Sequence, residues 1–138
     1  LTKFPDLPKL YREEATVEGV NYDIAFCQMC LETGFLRFGG DVKPEQNNVA
    51  GLGTIGGTLE AARYDNARTG VRAQIQHLKA YASLEPLVNE IVDPRFRFVT
   101  RGVAPTIDKL SGRWSADLQY GTKITAMLKR LYESAGLL

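Results

Sequence analysis

The chain has 138 residues, 44% of them hydrophobic and 24% charged, the make-up of an ordinary globular protein. Its 17 basic and 16 acidic residues leave a net charge of +1, which argues against an electrostatic nucleic-acid binder; no basic stripe with interleaved aromatics occurs. No apolar run is long enough to cross a bilayer, and the length suits one domain, residues 1–138, built on one core. The chain begins at Leu1, so it reads as a processed or trimmed piece of a longer protein.

The opening "FPDLPKLYREEATVEG" predicts a first helix over about 7–18, within an N-terminal segment 1–19. Asp6 is its cap, Pro8 lies in its first turn and Gly19 is its stop. Asn21 then reads as the cap of a second helix over 22–33. Ile24, Cys27 and Leu31 recur there at helical spacing and are expected to face the core. Gln28 and Glu32 are four apart, share a neighbouring face, and are expected at a surface or cleft.

Cys27 and Cys30 form a C-x-x-C pair. Redox chemistry needs such a pair at an exposed helix N-terminus. Here it sits mid-helix in an apolar run, and is expected to be two buried thiols. A single histidine, His77, leaves a zinc site short of ligands. His77 lies on the shoulder of a helix stripe and reads as a hydrogen-bonded structural residue.

Helical periodicity stops at residue 34. Residues 34–66 hold seven glycines and read as a long loop with at most a small hairpin near 52–64. A stretch of that length without regular structure is often functional. Helices return at "TGVRAQIQHLKAYAS", with Thr69 as the expected cap and Val71, Ile75, Leu78 and Ala82 as the buried stripe. "DPRFRFV" is a turn, "APTIDKLSGRW" a short helix ended by Gly112. A last helix begins near Ser115 or Asp117, with Ile124, Leu128 and Leu131 inward. The fold class is mainly α.

Glu32 is the unusual residue. It closes the second helix, where the helix dipole disfavours negative charge, and Thr33, Gly34 and the rings of Phe35 and Phe38 follow. No basic residue stands four positions before it. Burial against Phe35 or Phe38 would raise its pKa further. A glutamate kept protonated near neutral pH is what a general acid needs.

These residues carry a resemblance. "IAFCQMCLETGFLRFGG" followed by "NNVAGLG" resembles the glucosaminidase family of bacterial cell-wall hydrolases (glycoside hydrolase family 73), which includes flagellar peptidoglycan hydrolases and autolysins. That family ends an apolar helix in L-E-[ST]-G-[WF] and continues to an N-N-x-x-G-[IL] segment. Both are present here, as Leu31 to Phe35 and Asn47 to Leu52. "RTGVRAQIQHLKAYA", "DPRF" and "GRWSADLQYGTKI" are similar to later family segments, so the likeness runs from about residue 20 to 132.

The resemblance implies a lysozyme-like fold, an α lobe with a short β-hairpin region bordering a saccharide cleft. It implies cleavage after N-acetylglucosamine in peptidoglycan, outside the cytoplasm, without metal or cofactor. Glu32 would be the general acid. Tyr120 would lie in the cleft to stabilise developing charge or position the N-acetyl group. Trp114 could stack on a sugar and Asn47 and Asn48 anchor the loop or contact sugar; Gln28 and Phe35 are further expected substrate-binding residues, against the plainer readings of Phe35 as a plug in the cleft floor and Gln28 as a support for Glu32 or merely exposed. The β region is short, and a second carboxylate would come from it: Glu60 first, then Asp65, with Asp41 and Glu45 behind. The substrate's own acetamido group is the alternative nucleophile. Peptidoglycan glycan strands are the expected partner; nothing sets an oligomeric state, and a monomer is the default expectation. Two further readings stay open, a glycan-binding module that does not cut and lytic transglycosylase chemistry.

Overall fold

The computed structural model describes residues 4–40, 42–53 and 61–137. Among these are four α-helices: α1 (Leu7–Glu18), α2 (Tyr22–Thr33), α3 (Ala67–Ala82) and α4 (Tyr120–Ser134). Single 3-10 turns occupy Pro44–Gln46, Phe96–Phe98 and Ile107–Leu110. The mainly α class is as predicted. Of the expected hairpin, the described residues contain an antiparallel bridge between Gly53 and Ala61, with the Ala62 N–H donating to the Leu52 carbonyl at 2.8 Å. Glu60 and Asp41 lie outside the described residues.

The first two helices start and stop where local chemistry demands. Asn21 accepts from the N–H groups of Asp23 and Ile24, satisfying donors that helix geometry leaves open. Gly34 closes α2 in the left-handed region at φ 58°, its N–H returned to Cys30 and Leu31. Gly19 does the same for α1, although Asp6 makes no side-chain cap bond. Two boundaries differ from expectation. Asn66, not Thr69, caps α3: its carboxamide oxygen accepts from the Thr69 N–H, so Thr69 lies inside the first turn. Ser115 and Asp117 cap turns ahead of α4, accepting from Asp117 N–H and Gln119 N–H, and the helix begins only at Tyr120. The expected stripe of α3 stops short as well, since Ala82 is exposed.

α1 packs on α3 and α2, and α2 packs on α4. The core between them holds Leu7, Tyr11, Ala25, Met29, Val71, Ile75 and Ile124, all essentially buried. Cys27 is buried within it, while Ile24 and Leu31 are half-buried at its edge. A smaller apolar cluster joins Ala50, Leu52, Ala62 and Tyr64 to Ala73 of α3, and Trp114 packs against both. The loop approaches α3 so closely that a Cβ on Gly70 would lie 1.7 Å from the Asn47 carbonyl oxygen. Only glycine permits that approach. No described helix is long and apolar enough to cross a membrane.

Candidate active site

Glu32 sits at the last turn of α2 facing the loop that follows it. Its neighbours arrive from three other parts of the chain. Tyr120, the first residue of α4, donates its hydroxyl proton to Glu32 Oε2 at 2.6 Å. Trp114, whose indole N–H donates to the Ala50 carbonyl at 3.3 Å, lies near enough to favour the charged form of Glu32. Gly51, at φ +67°, puts bare backbone against the other carboxyl oxygen: a Cβ there would lie 3.1 Å from Glu32 Oε1.

Glu32 is exposed as a residue, but its carboxyl end is crowded by protein. Desolvation is the largest influence and lifts its pKa above the ordinary glutamate value; the Tyr120 hydrogen bond and the nearby Trp114 indole oppose it without cancelling it. The crowding groups are not the predicted ones. Phe38 packs on Phe4 with ring centroids 5.8 Å apart, and Phe35 is exposed and lines an apolar groove with Cys30, Leu36 and Met127. Because Tyr120 donates to Oε2, that oxygen is an acceptor, and an acidic proton on Glu32 belongs on Oε1, the oxygen that faces Gly51. The arrangement can therefore present one protonated carboxyl oxygen to a group entering from solvent.

Behind Tyr120 lies a chain of buried polar groups that sequence reasoning missed. Gln28 was expected on a polar face at a surface or cleft; it is fully buried. Its Nε2 donates to the Tyr120 hydroxyl at 2.9 Å, and its Oε1 accepts from Gln74 Nε2 at 2.8 Å. Gln74 Nε2 also donates to the Ala25 carbonyl at 2.9 Å, and its oxygen accepts from the Tyr11 hydroxyl. The chain thus runs from Tyr11 on α1 through α3 and α2 to Glu32, each donor pointing toward the acid. A glutamine on the buried stripe of α3, beside Val71, Ile75 and Leu78, was the available signal, since buried amides require partners.

Asn48 is buried, and its carboxamide laces the loop: it donates to the Leu52 and Ala62 carbonyls at 2.8 and 3.0 Å and accepts from Leu52 N–H at 3.1 Å. Asn47, at φ 54°, donates to the Tyr64 carbonyl at 2.9 Å. Both asparagines hold the loop that carries Gly51. Glu45 and Asp65 are exposed and bond to none of Glu32, Tyr120 or Trp114. The cysteine thiols are free; burial pushes Cys27 up to about 11 and Cys30 above its ordinary value, so both stay protonated and unreactive near neutrality. No group of three or more metal-ligating side chains occurs among the described residues.

A family model, that of mannosyl-glycoprotein endo-β-N-acetylglucosaminidase, matches residues 8–133. The chain belongs to the glucosaminidase family. Among the described residues, its four helices and near absence of strand are those of a lysozyme-like, mainly α glucosaminidase domain. The family is one of glycoside hydrolases, peptidoglycan hydrolases among them. A Borreliella burgdorferi protein, described as uncharacterized, is 46% identical over 125 residues. The match takes in 91% of this chain but 61% of that protein, so the glucosaminidase chain spans about three fifths of its relative's length. No solved structure matches it.

Proposed function

We propose that this chain is a β-N-acetylglucosaminidase that hydrolyses the glycosidic bond after N-acetylglucosamine in bacterial peptidoglycan. Its place of action is then outside the cytoplasm, where that polymer lies. The observation that carries the reading is the setting of Glu32: an exposed residue whose carboxyl is desolvated, so that it holds its proton at higher pH than usual, with Tyr120 on Oε2 and the bare Gly51 backbone facing Oε1. Glu32 Oε1 protonates the leaving-group oxygen as the bond breaks. Tyr120 fixes the carboxyl through Oε2 and, being pushed up by burial and by the Glu32 charge, remains a phenol able to donate throughout. Gly51 leaves empty the space in front of Oε1 that the leaving oxygen needs.

The second group is Glu60, as nucleophile or as the base that activates water, or else the substrate's own acetamido oxygen, which attacks the anomeric carbon as the leaving oxygen departs. Carboxyls about 5 Å apart give retention, and a separation of roughly 6.5–9.5 Å gives inversion.

Mass spectrometry of products from purified peptidoglycan tests the proposal. Wild type is expected to release saccharides with N-acetylglucosamine reducing ends, and Glu32→Gln to release them roughly 10²–10⁴ times more slowly. Full hydrolysis by Glu32→Gln removes Glu32 from the mechanism. Anhydro-sugar ends would replace hydrolysis by transglycosylation, and wall binding without any product would leave a binding module.

A further inference from the structure

Trp114 and Gly51, both beside Glu32, also line a second feature that the catalytic reading does not use. This is a pocket of about 170 Å³, lined by Trp114 together with Tyr81, Phe98, Arg95 and His77, with the Gly51–Gly53 segment at its edge. Gly51 and Trp114 belong to both places, so the pocket continues the space in front of the acid.

His77 is held as a positioned ligand-binding imidazole would be. Its Nδ1 meets Asp93 Oδ2 at 2.7 Å, and Asp93 is buried. The remaining Asp93 oxygen accepts from the Arg95 N–H at 2.9 Å. Gln76, also buried, pins the segment from outside: it accepts from the Val92 and Asp93 N–H groups and donates to the Glu90 carbonyl. Trp114 and Tyr81 set their rings edge-on to the imidazole at 4.6 and 5.4 Å. The ring cannot turn without losing all of this. Asp93 accepts, so Nδ1 carries the hydrogen and Nε2 of the neutral ring carries a lone pair. Nε2 has no partner among the described residues, although His77 as a whole is only 8% exposed. Nε2 is open to the pocket, where a ligand's donor can take the place of water.

We propose that this pocket is a sugar-binding position of the cleft, taking one pyranose ring of the glycan, with a hydroxyl or amide N–H of that sugar donating to His77 Nε2. The size fits a single ring: the volume is well under the roughly 300 Å³ at which sites for larger ligands begin. Aromatic rings interleaved with polar groups (the His77 imidazole, the Arg95 side chain and the Gly51–Gly53 backbone) match a ligand whose ring faces are apolar and whose rim is polar. The chemistry rests on the glycan substrate proposed above, and it makes His77 a specificity-determining residue that touches substrate away from the bond that breaks.

Trp114 is the single tryptophan, so its fluorescence reports on sugar arriving at the acid or in this pocket, and the pocket substitutions tell the two apart. The experiment titrates N-acetylglucosamine tetramer into the Glu32→Gln chain, where cleavage does not interfere. A saturable change in Trp114 emission is expected. His77→Phe keeps a ring but removes the acceptor, and is expected to weaken binding about tenfold, the effect of one lost hydrogen bond. Phe98 is 62% exposed, so Phe98→Ala leaves the fold intact; it is expected to weaken binding about threefold. No binding of the tetramer, or affinity unchanged by both substitutions, overturns the proposal. Product release from the wall by the chain with Glu32 intact is read separately. Release with unaltered affinity in His77→Phe sinks this sugar position and leaves the hydrolase standing. His77-dependent binding without release sinks the hydrolase and keeps the position.

Discussion

The acid at residue 32 owes its geometry to the direction of a few hydrogen atoms. A backbone carbonyl can only accept, so the Ala25 oxygen obliges Gln74 to turn its amide nitrogen inward. That nitrogen also meets Gln28, which must answer with oxygen and therefore offers its own nitrogen to Tyr120. The phenol, already receiving a hydrogen, has only Glu32 left to donate to. Reversing any amide would send the Tyr120 proton away from the acid. Chains of this kind strengthen along their length and are buried from competing water. Among the described residues, the groups acting on Glu32 are Tyr120 and Trp114, with no charged side chain between them. Losing the Tyr120 donation removes a stabiliser of the carboxylate, so the pKa of Glu32 rises further. Tyr120→Phe and Gln74→Met are both expected to shift the Glu32 carboxyl titration upward, seen by carbon NMR, and to carry the alkaline limb of the hydrolysis profile with it. The double variant should match Tyr120→Phe alone, because Gln74 acts through Tyr120. A Gln74→Met titration identical to wild type would mean that the amide direction is irrelevant to the acid.

At the scale of elements, the site depends on where a loop meets a helix. Asn47 and Asn48 shape the loop, and Gly70 on α3 lets it approach within a distance no other residue tolerates. In Gly70→Ala the added methyl would meet the Asn47 carbonyl at 1.7 Å, and backbone must move on one side or the other. The expected cost is about 1–3 kcal/mol or more, measured by urea unfolding, with activity falling further because Gly51 is displaced from Glu32. Gly39→Ala, with nothing within 4 Å of its new methyl, is the control and should change stability by less than about 0.5 kcal/mol. A Gly70→Ala chain as stable as the control would show that the loop yields freely. The boundaries of α1 and α2 were legible because their signals are local: Asn21, Gly19 and Gly34 each act within a few residues. The α3 and α4 caps were misread among several adjacent polar candidates, since a cap is chosen by backbone geometry that composition does not carry. Glu32 was legible as a misplaced charge. Its surroundings were not, because Gly51, Tyr120 and Gln74 reach it from 19, 88 and 42 residues away in sequence, and nothing in the local pattern orders such contacts.

For the molecule as a whole, two kinds of glutamate pull stability in opposite directions with pH. Glu18 on α1 and Lys79 on α3 form an ion pair at 2.9 Å whose side chains are almost wholly buried, and Glu18 also accepts from the N–H groups of Val88 and Asn89. Desolvation pushes its pKa up, but these partners outweigh it and the net direction is down. Glu14, bonded by Arg72 and Arg68, behaves alike. A lowered carboxyl contributes stability above its unfolded value near 4.5, and that contribution fades as pH falls through the folded value. Glu32 has the reverse sign: its folded value is raised, so the folded state holds the proton more firmly than the unfolded chain. Its contribution is present below about 4.5 and is lost as pH rises through the folded value, leaving neutral pH the worse for a charged Glu32. Glu18→Gln, which leaves the buried Lys79 ammonium facing a neutral amide, is expected to cost about 3–5 kcal/mol at neutral pH and progressively less as the pH falls below the range where Glu18 is charged. Glu32→Gln is expected to melt higher than wild type at neutral pH, with the gain closing as the pH is lowered toward 4. Thermal melts of both variants across that range decide the matter. A Glu32→Gln chain no more stable than wild type at neutral pH would mean that its carboxylate is well solvated in the folded protein, and would undercut the reason for reading Glu32 as an acid.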